Sequence, residues 1–167
     1  MLTPTIEQPM SELTHPGNNA HYWAGQPYST LCEQLKKALL SKESLITLTG
    51  PAGVGKTALC NELIYSLEAN HYQVIYLSTA PSSNHALQQA LQRQLPNLTT
   101  FGFIASLQKQ LLEAQASTTQ QIRSSVLIVD DAHQLNDEVL TTLRVLSNLQ
   151  TNNHRLLQII LSGQPSL

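Results

Sequence analysis

The chain is short of charge, of cysteine and of aromatic rings. Asp, Glu, Lys and Arg together make up 12% of its 167 residues, about half the usual share. With 41% hydrophobic residues beside that, the composition is globular and excludes a disordered, charge-rich chain. Nine Lys and Arg are scattered along the sequence against eleven Asp and Glu, for a net charge of −2. No basic stripe is present to track a phosphate backbone, so nucleic acid is not an expected partner. Cys32 and Cys60 are the only cysteines, with no CxxC and no histidine pattern beside them. They read as reduced thiols packed as small hydrophobes, not as a disulfide framework or a zinc site. No apolar run approaches the roughly 18 residues that a membrane span needs. The start, MLTPTIEQPMSELTHPG, has neither a basic beginning nor an apolar stretch and is no signal peptide. A cytoplasmic location is expected.

What is present is an alternation. Residues 1–20 hold three of the eight prolines and two charges, and are expected to form an extended or mobile leader. Residues 21–167 are expected to form one domain. Thr30-Leu-Cys-Glu33 has capping-box spacing, and Leu31, Leu35, Ala38 and Leu39 follow at helical period. Leu45–Thr49 reads as a strand, and a helix follows from Lys56 with Leu59, Leu63, Ile64 and Leu67 on one face. Val74–Ser78 is a second strand, and Ser83 or Asn84 caps a helix that Pro96 closes. Residues 101–116 read as a helix and Ser117–Gln121 as a loop. Val126–Val129 is the third strand; Asn136 or Asp137 caps the next helix; Leu156–Leu161 is the fourth strand. Short strands without polar alternation are buried on both faces, so a parallel α/β sheet with helices on its faces is predicted. Ligands in such sheets sit at the carboxyl ends of the strands.

Two motifs fall at those ends. Residues 50–57 read GPAGVGKT, the P-loop pattern GxxxxGK[ST], with a strand before it and a helix after it as the motif requires. Gly53 and Gly55 allow successive N–H groups to turn inward as an anion nest, and the helix start adds partial positive charge. Lys56 would reach the β- and γ-phosphates, and Thr57 would place a hydroxyl on Mg²⁺. By average composition the pattern arises by chance in such a chain on the order of once in a hundred, and its strand–turn–helix setting makes chance rarer still. The expected nucleotide contacts are Gly50, Pro51, Ala52, Gly53, Val54, Gly55, Lys56, Thr57 and Ala58, and the expected ligands are ATP and Mg²⁺.

The second motif is VLIVDDAHQL at residues 126–135. Two like charges at a buried strand end are costly unless something neutralises them. Asp130 suits a magnesium-ordering acid, usually acting through water, with a divalent cation and Lys56 as the neutralising charges. Asp131 would then orient and activate the attacking water. For either residue the plain alternative is a cap on the following turn. If Asp131 is the catalytic acid, its side chain is one C–C bond, roughly 1.5 Å, shorter than Glu, and a misplacement of about 1 Å can cost on the order of 100-fold in rate. A slow ATPase is therefore predicted.

GPAGVGKT, LIVDDAHQL and the closing LLQIILSGQPSL together resemble the AAA+ ATPases of bacterial envelope assembly. The group in view is general secretion pathway protein A, the MSHA pilus biogenesis ATPase and the ATPase–SPOR proteins related to DamX. The resemblance covers residues 20–167 and implies a three-layer αβα P-loop sheet of strand order 1-4-3-2. It implies a polar sensor at the tip of the fourth strand, Gln164 with Ser162 as runner-up, and matches Ser78 or Thr79 to a residue that can restrain the catalytic acid. Tyr22 and Trp23 match the segment that helps hold adenine, or else pack on the core. That group often shows Asp-Glu-Ala where this chain has Asp130-Asp131-Ala132. A fifth strand and a helical lid, where the arginine finger and second sensor lie, are expected beyond Leu167. Arg155 sits at the wrong end of its strand, and Arg144 in mid-helix, to replace the finger. Asp-Asp-Ala-His also resembles a helicase box, without further support, and His133 is expected in a turn.

The expected function is ATP binding and hydrolysis coupled to secretion, pilus or cell-division machinery, with homo-oligomers and an inner-membrane or envelope protein as partners. Any attachment to the inner membrane would come through regions outside this chain. The alternatives are a nucleotide-gated switch with little turnover and a nucleic-acid-linked helper ATPase.

Overall fold

The structure is a computed structural model that describes residues 5–7, 26–69, 71–116, 124–151 and 155–165. Its elements run β1 (Thr5–Glu7), α1 (Gln26–Leu40), β2 (Leu45–Thr49), α2 (Lys56–Ala69), β3 (Tyr72–Leu77), α3 (Asn84–Gln94), α4 (Phe103–Ala116), β4 (Ser124–Val129), a single 3₁₀ turn (Ala132–Gln134), α5 (Asp137–Ser147) and β5 (Leu157–Gly163).

All strand pairs are parallel, in the order β1-β2-β5-β4-β3. The last four are the strands expected from sequence, in the expected order 1-4-3-2. Period-2 side-chain direction explains the two cores. Val126, Ile128 and Ile160 face one way and pack with Leu31, Leu35 and Leu39 of α1 and Leu59, Leu63 and Leu67 of α2. Leu127, Val129, Ile159 and Leu161 face the other way and pack with Leu87, Leu91, Leu107, Leu111, Val139 and Leu143 of α3, α4 and α5. The central strands are apolar on both faces because both faces are covered, giving three layers. Each fully buried Leu contributes about 1.5–3 kcal/mol of burial energy.

Sequence signals and structure part in a few places. Thr5–Glu7 lies within the stretch expected as a leader, yet it adds a strand on the outer side of β2, with Ile6 beside Leu48. Three residues are too few for any period to announce a strand. Helix α1 starts at Gln26, four residues before the capping-box threonine; Pro27 is tolerated in a first turn because its missing N–H has no helical partner there. Gly102 has φ +64°, which delays α4 to Phe103. Of the paired cap candidates, Ser83 accepts from the Ala86 amide at 3.2 Å and Asn136 from the Val139 amide at 2.9 Å.

Buried Gln158 is fully used: its amide donates to the carbonyls of Leu39 and Glu43 at 3.0 and 2.9 Å, tying the α1–β2 turn to β5. No helix among the described residues is long and apolar enough to cross a membrane.

Candidate functional site

The carboxyl ends of β2, β4 and β5 meet at one edge of the sheet. Ser162 lies beside Leu48 and Gly163 beside Thr49 in the β2–β5 register. The Gly50 amide donates to the Gly163 carbonyl at 3.2 Å. The loop that follows therefore leaves the sheet from a fixed point. Gly53 at φ +78° and Gly55 at φ +90° carry its left-handed turns, conformations that L side chains rarely adopt. Pro51, Ala52 and Gly53 are exposed, Val54, Gly55 and Ala58 half-buried. Lys56 folds back over the loop, and its buried ammonium donates to the carbonyls of Gly50 and Pro51 at 2.9 and 2.8 Å.

Asp130 stands at the end of β4, 2% exposed. Its backbone amide continues the ladder to the Leu77 carbonyl at 2.8 Å, so the carboxylate is held by the sheet itself. Oδ2 accepts from the Thr57 hydroxyl at 2.5 Å and is approached by the Tyr76 hydroxyl at 3.4 Å, long for a hydrogen bond. Oδ1 accepts from the Ser162 hydroxyl at 2.8 Å and from the Asp131 amide at 3.0 Å. Among the described residues the buried carboxylate is ringed by neutral donors and has no salt bridge. Burial, then the Asp130 charge, pushes the Tyr76 phenol up to about 12. The same two causes push the Cys60 thiol up to about 12. Both groups stay protonated and neutral beside the carboxylate.

Asp131 is placed differently. It is half-buried, its backbone is left-handed (φ 52°, ψ 31°), and its side chain does not cap the 3₁₀ turn that it precedes. Among the described residues its carboxylate accepts no hydrogen bond; its amide donates to Asp130. The capping alternative is thereby removed for Asp131. A left-handed non-glycine residue is a local strain that Asp tolerates better than longer side chains.

The remaining candidates divide. Ser162, the runner-up, contacts Asp130 directly. The Gln164 amide lies 3.1 Å from the His133 Nε2 instead, while the buried His133 Nδ1 has no hydrogen-bond partner among the described residues. Ser78 and Thr79 are exposed and bond neither carboxylate. The Arg155 guanidinium donates to the Ser147 carbonyl at 2.8 Å, closing the end of α5, away from the phosphate loop. Tyr22 and Trp23 lie outside the described residues. Sequence reasoning missed Tyr76 and Tyr28, whose hydroxyl donates to the Val54 carbonyl; no local pattern marks either tyrosine.

Oxygen donors from Thr57 and Asp130 in contact, beside a lysine on a loop rich in turned amides, fit a phosphate chain with a hard divalent cation. Among the described residues no cluster of three His, Cys, Asp or Glu occurs.

Comparison with known proteins agrees with this geometry. General secretion pathway protein A of Aeromonas hydrophila is 29% identical over 154 residues, which cover 90% of this chain and 27% of that protein. The chain thus spans about a quarter of that relative's length. The AAA domain family matches residues 29–167, and the chain belongs to it.

Proposed function

We propose that this chain binds ATP with Mg²⁺ and hydrolyses it slowly, as the ATPase module of a longer protein serving bacterial envelope assembly, secretion in the first place. The observation that carries the proposal is the Thr57–Asp130 contact at 2.5 Å beside the carbonyl-bound ammonium of Lys56. The relative's printed name supports secretion over pilus or cell-division machinery. Homo-oligomers and an inner-membrane or envelope partner belong to the same proposal.

Each residue has a stated task. Loop amides from Gly50 to Ala58 and the Lys56 ammonium hold the phosphates. Thr57 and Asp130 would hold the cation, which would supply positive charge against the phosphate oxygens. Asp131 orients the attacking water and takes its proton. Gln164, whose amide meets His133, would serve as the polar sensor for the γ-phosphate. The Asp131 carboxylate, which accepts no hydrogen bond among the described residues and does not cap the turn, supports catalysis over a capping role.

One observation favours a second reading. The Asp131 side chain is short for its task, and a switch that binds ATP but turns over rarely would have the same site. Titration of wild type and Lys56→Ala with ATP·Mg²⁺ tests the binding, and phosphate release tests the turnover. The expected result is binding by wild type and none by the variant. Retained ATP affinity in Lys56→Ala would remove the nucleotide assignment, and binding without any phosphate release would select the switch.

A further inference from the structure

Tyr28 lies in the first turn of α1, far in sequence from the phosphate loop, yet it reaches the loop's back. Its hydroxyl donates to the carbonyl of Val54. The same oxygen stands 2.6 Å from where a Cβ on Gly55 would sit. Gly55 is therefore favoured by its φ of +90°, and a Cβ there would also displace the tip of the Tyr28 side chain. The half-buried Tyr28 ring packs against the α1–α2 core and lines a pocket with Cys32 and Leu59, so the hydroxyl is carried on an anchored support.

The contact has a directional consequence. A peptide unit is planar and trans, so the Gly55 N–H points away from the Val54 C=O. Holding that carbonyl toward α1 turns the Gly55 amide away from α1. In the nucleotide reading of the loop, the anion lies on that far side. We propose that Tyr28 is a positioning residue for the phosphate site: its hydroxyl holds the Val54–Gly55 peptide plane so that the Gly55 amide is already aimed at a bound di- or triphosphate. This rests on the nucleotide reading of the loop given above. Prearranged donors bind more tightly because no ordering cost falls at the moment of binding. Burial raises the Tyr28 phenol above its ordinary value, so it remains a donor at neutral pH.

The ring and the hydroxyl separate in Tyr28→Phe. The test titrates wild type and variant with ADP·Mg²⁺ and with inorganic pyrophosphate, melts both proteins without ligand, and follows the Gly55 amide by ¹⁵N NMR. Expected is a loss of about two- to tenfold in affinity for both ligands, the range that one hydrogen bond supplies, with the melting temperature held. Pyrophosphate has no base, so equal loss on both ligands places the effect at the phosphates. The Gly55 amide proton moves downfield on adding pyrophosphate to wild type and moves less in the variant. If wild type binds neither ligand, the nucleotide reading falls and takes this inference with it. If wild type binds both and the variant binds them equally well, only the role of Tyr28 is overturned. Loss confined to ADP assigns Tyr28 to the base and overturns positioning. If the variant is destabilised as a whole, an unchanged Gly55 response shows a packing role alone and overturns it too.

Discussion

Thr57 Oγ1 lies 2.5 Å from Asp130 Oδ2 although 73 residues separate the two in sequence. One residue opens α2 and the other ends β4, and the sheet order brings them together. Replacing Thr57 with Ala removes one oxygen from the proposed cation site and leaves the phosphate amides in place. Mg²⁺ should strengthen ADP binding to wild type, and this enhancement should shrink about tenfold in Thr57→Ala, as expected for one charge-assisted contact. Calorimetry with and without Mg²⁺ measures it; an equal enhancement in both proteins would place the cation elsewhere.

Asp131 holds a left-handed backbone with a side chain free of hydrogen bonds among the described residues. Asn shares the tolerance of Asp for this conformation. Asp131→Asn should therefore fold and bind ATP as wild type does while losing at least about 100-fold in turnover, within the range attributed to general-base catalysis. Asp131→Glu should gain rate, by up to about 100-fold if reach is limiting, and lose up to about 1 kcal/mol of stability because Glu suits the backbone less well. Phosphate-release assays and urea unfolding give both numbers. A rate unaffected by Asp131→Asn would end the catalytic assignment.

Ser162 and Gln164 stand two residues apart and touch different things. The Ser162 hydroxyl donates to buried Asp130, so Ser162→Ala should cost about 1.5–3 kcal/mol, as for a hydrogen bond to a charged group. Gln164 is half-buried and meets His133, so Gln164→Ala should cost less than about 1 kcal/mol. Turnover should fall in Gln164→Ala with ATP affinity retained. Parallel denaturation curves would contradict the ordering of the two stabilities.

Cys60 supplies a pH dependence. Burial first and the Asp130 charge second push its thiol from 9.0 to about 12. Below pH 9 the thiol is protonated in folded and unfolded chains alike, and its contribution is fully present. Between these values the unfolded chain releases a proton that the folded one keeps, so stability falls as pH rises, by about 1.4 kcal/mol per pH unit from this group. Tyr76, pushed from 10.0 to about 12 by burial and then by Asp130, adds the same trend at higher pH. Cys60→Ala should be less stable near neutrality, because a packed side chain is cut back, but should lose less on going alkaline. Urea unfolding across about pH 8 to 11 tests this; wild type and variant falling in parallel would show the thiol has no part in it.

Local signals determined much of this protein. An eight-residue loop needs its glycines, lysine and threonine in one order, and strands covered on both faces need unbroken apolar runs. Both constraints act over a few residues and so were legible in GPAGVGKT and VLIV. The relative order of the four strands, by contrast, entered through resemblance, and the sheet then confirmed it. Tertiary structure alone decided the relations between distant segments. Thr5–Glu7 became a strand because β2 had an edge to pair with, not because its own residues repeat. Ser162 reached Asp130 because β4 and β5 are neighbours. Tyr28 met Val54 because α1 packs on α2. Asp131 took a left-handed turn because the chain had to leave β4 there, and a backbone dihedral has no letter in the sequence. Chemistry carried by one short segment can be read from its letters; chemistry shared between segments depends on how the fold aligns them.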